Sequence, residues 1–239
     1  MRRALKSVSK LPALSNTPGV LVSSTNFSAF STLANLPDDE ASGAAEAPTR
    51  KRPKPGERRL QILQTLAGML EQPGAERITT AALSAKLGVS EAALYRHFAS
   101  KAQMFEGLID FVEQSVFAFV RQIADRDPAG PAQVARTIAL ILQFAEKNPG
   151  MARVMTGDAL VFENERLQER MNLLFDKLES TFKQSLRDGG PQSDTPTVDA
   201  QVTASLLVAF MMGRMQRFAR SGFKRLPSEN LQASLARVL

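Results

Sequence analysis

The 239-residue chain has no cysteine and no tryptophan, one histidine (His97) and one tyrosine (Tyr95). Without cysteine there is no disulfide framework, thiolate metal site or cysteine nucleophile. With a single histidine, a Ser-His-Asp triad or a histidine-rich zinc centre would rest on one residue, which argues against most hydrolase and metalloenzyme designs. Long apolar runs are also missing. The longest, Leu206 to Gly213, falls far short of the ~20 residues a membrane-spanning helix needs. The expectation is a protein without catalysis, metal, cofactor or membrane span.

The net charge is +6, and its placement is more telling than its size. Residues 1–49 carry four basic and four acidic side chains, and residues 105–239 carry 16 of each. The whole excess lies in 50–104, where ten basic residues face only Glu57, Glu71, Glu76 and Glu91. Positive charge confined to one short segment marks a surface for a polyanion. A merely solubilising face is the alternative that charge alone leaves open.

Residues 1–56 are rich in Ser, Pro, Ala and Gly and hold no sustained period, so disorder is expected there. The first 37 residues are basic and free of acid, which mimics a transit peptide; a disordered tail or an over-extended start is the preferred reading. Arg50 to Pro55 form a basic arm kept extended by Pro53 and Pro55. From Glu57 on, the pattern is all-α. Leu60, Leu63, Leu66, Ala67 and Leu70 recur at helical spacing until Pro73 and Gly74. Short helices are expected from Thr79/Thr80 to Gly88 and from Ser90 to about Phe98. A long helix opens at Ser100, and further helices cover roughly 132–146, 150–157, 160–188, 197–221 and 228–238. The division is a tail (1–56), a three-helix DNA-binding unit (57–103) and a helical dimerisation and partner unit (104–239).

Segment 79–101 carries the chemistry. Two short helices joined at Gly88-Val89 have helix-turn-helix spacing, with Gly88 where a left-handed residue is cheapest. Leu83 and Leu87 share one face, Leu94 and Phe98 another, and both can meet Ile62 and Leu66. The unused face of the second helix shows Ser90, Glu91, Ala92, Ala93, Arg96 and His97. Its small residues let the helix sink into a DNA major groove ~12 Å wide, and its N-terminus favours a phosphate. Thr79, Thr80, Tyr95 and Lys101 suit phosphate contacts. His97 reads as a phosphate or packing residue.

The string GVSxxxLYxxFxSK, Gly88 to Lys101, resembles the DNA-binding head of the TetR family of dimeric regulators. Ser84 stands where that family usually has Ala. RITTA (77–81), VSEAALYRHF (89–98), KNPG (147–150), FExxRLQxR (162–170) and RFxRSxFK (217–224) resemble a nucleoid-occlusion branch of it. That resemblance implies a nucleoid-associated cytoplasmic homodimer on palindromic double-stranded DNA. When DNA-bound, such a dimer engages the C-terminal tail of the division protein FtsZ and antagonises ring assembly over the chromosome. It further places the tail site in a groove between the fourth and fifth helices, bordered by Phe111, Val112, Leu140, Phe144, Lys147 and Asn148. Where the branch has a basic residue on the fourth helix, this chain has Phe119, with Arg121 two positions on.

Residues 200–213 are apolar nearly all round, so the helix needs cover on every side, which a partner subunit's equivalent helix would provide. Leu231, Leu235, Val238 and Leu239 are candidates to close the same interface. A ligand-released transcriptional repressor on the same fold is the alternative function. The carboxylates Asp158, Glu163 and Glu165 read as ion-pair partners on a helix surface, not as a catalytic set.

Overall fold

The computed structural model describes residues 56–72, 77–189 and 196–239, and all of its regular structure is helical. The expected tail and arm of residues 1–55, and the breaks at Pro73-Gly74 and Gly190-Pro191, lie outside these residues. The elements are α1 (Glu57–Leu70), α2 (Thr80–Leu87), α3 (Glu91–Tyr95), α4 (Lys101–Ala124), α5 (Pro131–Lys147), α6 (Pro149–Met155), a 3-10 turn (Asp158–Leu160), α7 (Glu165–Gly189), α8 (Pro196–Arg220) and α9 (Leu231–Leu235).

Local chemistry sets the starts of the head helices. Thr79, Ser90 and Ser100 each sit in extended conformation, and each hydroxyl accepts an amide of the first turn: Ala82 at 3.1 Å, Ala93 at 3.3 Å and Gln103 at 3.2 Å. Gln103 reaches back to accept the Ala99 amide at 2.8 Å, close to a capping box. Gly88 ends α2 at φ 66°, and the amides of Gly88 and Val89 bond the Ala85 and Ser84 carbonyls, a Schellman stop. Ser84 is buried without cost to its hydroxyl, which donates to the Ala81 carbonyl at 2.9 Å.

One continuous apolar core runs from the head into the body. Ile62, Leu63, Leu66, Leu83, Leu94 and Phe98 close the three-helix head over Phe105 and Leu108 of α4. The body is built round α6, which packs against α1, α4, α5 and α8, while α7 and α8 run along each other. Gly150 is the close-approach point: a Cβ there would lie 2.4 Å from the Ala67 carbonyl oxygen of α1. The glycine of the KNPG string therefore lets the body seat closely against the head. Arg153 completes the seat, donating to the Leu70 carbonyl at the end of α1 at 3.3 Å and to Asp158 at 2.7 Å.

Several boundaries differ from the periodicity. The second head helix stops at Tyr95 rather than near Phe98, because the His97 and Phe98 amides both turn back to the Leu94 carbonyl. α7 starts at Glu165, not 160, because Gly157 (φ 76°) ends α6, a 3-10 turn follows, and Asn164 accepts the Arg166 amide. Leu231 and Leu235 are buried within their own chain, so they are not the free interface residues expected from sequence.

Candidate nucleic-acid interface and partner faces

The outer side of α2–α3 is open. Ser90, Glu91, Ala92, Tyr95, Arg96 and His97 are exposed and Ala93 is half-buried, while Leu94 and Phe98 point inward. Tyr95 is 46% exposed, so it is not a core tyrosine. The height of this face is fixed from below by Arg59 of α1. Its guanidinium lies 4.0 Å from the Phe98 ring centroid and donates to the His97 carbonyl at 2.9 Å. No pattern in the sequence marks Arg59 for that task.

The other expected contacts are partly engaged inside the chain. Thr79 caps α2 through its hydroxyl. Thr80 donates to Glu91 at 2.6 Å, a bond that sets the start of α2 against the start of α3. Glu91 still keeps acceptor capacity, which suits a cytosine amino group in a major groove. Lys101 opens α4, and its ammonium is paired with Glu163 of the loop before α7. These two side chains are 23% and 8% exposed.

That pair begins a ladder of ion pairs between α4 and the start of α7. Arg166 meets Glu106 at 2.5 Å, and Arg170 meets both Asp110 at 2.6 Å and Glu113 at 2.5 Å. The hydrogen bonds Arg170 donates to Glu113, opposed by desolvation and reinforced by those to Asp110, hold its guanidinium above its ordinary range. Asp158 is likewise bonded to Arg153. Asp158 and Glu163 are thus ion-pair partners, as their sequence context indicated.

On the α4/α5 face the structure corrects one expectation. Phe111 is not on a groove rim: it is 5% exposed, with its ring centroid 5.7 Å from that of buried Phe144. Phe119 meets Phe144 edge-on at 6.0 Å. The α4 helix is apolar over so wide an arc that these rings fill the interhelical space. Val112 is buried with them. Leu140 is half-buried and Lys147 exposed. Asn148 turns its side-chain amide back onto the Phe144 carbonyl at 2.8 Å, closing the end of α5.

A separate apolar stripe follows α8. Val198, Val202 and Leu206 are 59%, 64% and 53% exposed, Met212 follows further along, and Leu173 of α7 is exposed as well. The inner face of the same helix buries Ala204, Leu207, Met211 and Met215. Half of the all-round apolar character is therefore satisfied within the chain, and half faces outward.

Two family matches cover most of the described chain. Residues 62–108 match bacterial regulatory proteins of the tetR family, and residues 129–237 match a tetracyclin repressor-like C-terminal domain. The nucleoid occlusion factor SlmA of Idiomarina loihiensis is 50% identical over 177 residues, which covers 74% of this chain and 90% of that protein. The SlmA of Aliivibrio fischeri (strain MJ11) is 49% identical over 180 residues, covering 74% and 92%. The chain belongs to the TetR family, among the SlmA nucleoid occlusion factors. More distant structures share the fold of this SlmA relative. A TetR-like transcriptional regulator from Rhodococcus sp. RHA1 superposes with a TM-score of 0.62 at 20% identity, covering 78% of this chain and 97% of that one. The TetR family transcriptional regulator PfmR of Thermus thermophilus gives 0.58 at 19%, covering 76% and 95%. The helix-turn-helix described above occupies the family's DNA-binding head, and among the described residues no helix is long and apolar enough to cross a membrane.

Proposed function

We propose that this protein is a DNA-dependent inhibitor of cell division: a cytoplasmic homodimer on palindromic chromosomal DNA that, when bound, engages the C-terminal tail of FtsZ. It thereby opposes ring assembly over unsegregated chromosomes. The observation that carries this reading is near-50% identity to SlmA proteins over nine-tenths of their length. In this reading residues 57–103 are the DNA-binding unit, residues 104–239 the dimerisation and partner unit, and no step is catalytic.

The exposed α3 face supports a division of labour on DNA. Ser90, Glu91, Ala92 and Ala93 approach base edges, Tyr95 and His97 meet the backbone at and just beyond the end of α3, and Arg96 reaches a base or a phosphate. Thr79 and Thr80 lie beside them at the start of α2, and Lys101 reaches a phosphate when it leaves Glu163. Dimerisation falls to the outward stripe of α8 with Leu173 of α7, packed as a four-helix bundle with its symmetry mate. The two recognition helices would then sit about 34–36 Å apart, or a multiple of that, on a palindrome.

The tail site is formed by Leu140, Lys147 and Asn148 on the outer side of α5. Phe111 supports its floor and does not touch the peptide. A cation beside apolar side chains suits an extended peptide with acidic and apolar residues. The deciding experiment is co-sedimentation of FtsZ polymer with this protein, with and without specific DNA. Loss of polymer only when DNA is present is the expected result. Indifference of FtsZ in both cases would leave a ligand-released repressor on the same fold.

A further inference from the structure

The carboxyl end of α8 carries a concave site apart from the helix-turn-helix and from the α4/α5 face. There the chain turns sharply. The Ser221 hydroxyl accepts the Lys224 and Arg225 amides at 3.1 and 2.9 Å. Phe223 takes φ 65° and stacks on Phe218 at 5.2 Å. This turn brings Arg225 back toward α8. The following loop is fastened by Arg214, which donates to the carbonyls of Pro227 at 2.8 Å and Glu229 at 2.7 Å and to the Ser234 hydroxyl at 2.9 Å. Its guanidinium also rests on Phe210, 4.6 Å from the ring centroid. Between these walls lies a cavity of about 300 Å³.

Its lining is charged in one direction. Arg214, Arg217 and Arg225 face it against a single carboxylate, Glu229. Among the described residues none of the three arginines forms an ion pair, unlike Arg136, Arg153, Arg166, Arg170 and Arg187. Arg214 spends its terminal nitrogens on neutral oxygens, and its Nε is buried with no acceptor. Burial and the nearby Arg217 charge together hold its guanidinium below the ordinary range. Arg217 and Arg225 are exposed and Arg214 half-buried, so the lining gathers a net charge of about +2 whose mutual repulsion is offset within the pocket by Glu229 alone.

We propose that this pocket binds a phosphate-bearing small molecule. Guanidinium forks match the geometry and charge of a phosphate dianion, which would neutralise Arg217 and Arg225 and relieve Arg214. The volume leaves room for an attached organic group, with Asn230 and Ser234 offering polar contacts to it. Arg217 stands on the flank of the outward stripe of α8, so the pocket borders the dimer face without depending on it.

The test is a titration of the full-length protein, followed by amide shifts in TROSY spectra and by thermal unfolding, at constant ionic strength set with chloride. The probes are inorganic phosphate, adenosine 5′-monophosphate and succinate. Saturable binding of phosphate or the nucleotide is expected, with shifts centred on Glu229, Asn230 and Ser234. Tenfold tighter nucleotide binding would identify an organic phosphate as the natural class, and equal binding would identify the free anion. The double variant Arg217→Gln/Arg225→Gln, both exposed positions, should lose affinity at least tenfold while unfolding at an unchanged temperature without ligand. The proposal falls if no probe saturates below 10 mM, as when a partner subunit's carboxylate fills the pocket. It also falls if succinate binds as well as phosphate, if the shifts lie in 79–101, or if the double variant binds like wild type.

Discussion

In the proposed reading Lys101, at the start of α4, reaches a DNA phosphate, yet in the free protein it is held by Glu163. If it moves to the phosphate, DNA binding must first break that pair, and Glu163→Gln should lower the cost. Gln keeps the shape and an acceptor but removes the charge. The pair is neither open nor fully enclosed, at 23% and 8% exposure, so its worth lies near the upper end for surface pairs, about 0.7 kcal/mol. A dimer breaks it twice, giving about 1.4 kcal/mol and tenfold tighter binding to DNA. Fluorescence anisotropy over a salt series reads this out. Lys101→Ala should instead weaken binding and flatten log K against log salt by about 0.9 for each lost phosphate contact. Because any removed carboxylate raises the local potential, exposed Glu165→Gln is the control and should shift affinity less than threefold. Two results would refute the reasoning. One is an unchanged affinity in both Glu163→Gln and Lys101→Ala, meaning Lys101 never leaves its pair. The other is weaker binding in Glu163→Gln, meaning the pair itself positions the head.

Further outcomes follow from other parts of the molecule. Tyr95→Ala and Arg96→Ala should weaken DNA binding several-fold at moderate salt without lowering the unfolding temperature, since both side chains are exposed. Leu206→Glu places a charge in the outward stripe of α8 and should yield a folded monomer of 26.1 kDa by sedimentation equilibrium, where the native protein gives twice that. Lys147→Glu should lower FtsZ-tail affinity tenfold or more, ~1.4 kcal/mol, in protein already bound to DNA, and leave DNA affinity intact. Arg153→Ala should cost about 2–4 kcal/mol in urea unfolding, because it strips a buried donor from the end of α1 and leaves Asp158 unpaired.

The head was readable because its signals are local. Caps at Thr79, Ser90 and Ser100, a left-handed Gly88 and apolar pairs four apart lie within twenty-odd residues, and the structure uses each of them as the sequence suggests. The α4/α5 face was not readable to the same depth. Met104, Phe105, Leu108, Ile109, Phe111, Val112 and Val116 cover more than one side of α4, which touches α1, α5, α6 and α7. A helix surrounded in that way loses the period that separates a groove rim from a core, so Phe111 could be placed on the helix but not inside or outside the fold. Long-range polar contacts leave still less trace. Lys101 and Glu163 are 62 positions apart, Arg59 and His97 38, and Arg153 and Leu70 83. Lys101, Glu163, Arg59 and Arg153 are ordinary charged residues until the fold brings their partners within reach.

Arg59–His97 lies within the head, and the other two contacts join head and body. Arg153 and Gly150 fix α1 to α6, and the ladder from Lys101 to Arg170 fixes the first half of α4 to the start of α7. The α4 helix itself spans 24 residues, about 36 Å, with head contacts at one end and Phe119 against Phe144 of α5 toward the other. A head tied down this firmly cannot reorient on DNA as a loose module. A change at the start of α4 must either break the ladder or be carried along the helix toward α5, because packed interfaces shift between discrete arrangements and do not deform continuously. Lys101 is the rung at which, in the proposed reading, a DNA phosphate would take the place of Glu163. In that reading, the Lys101–Glu163 pair is where DNA occupancy would be felt at the peptide face.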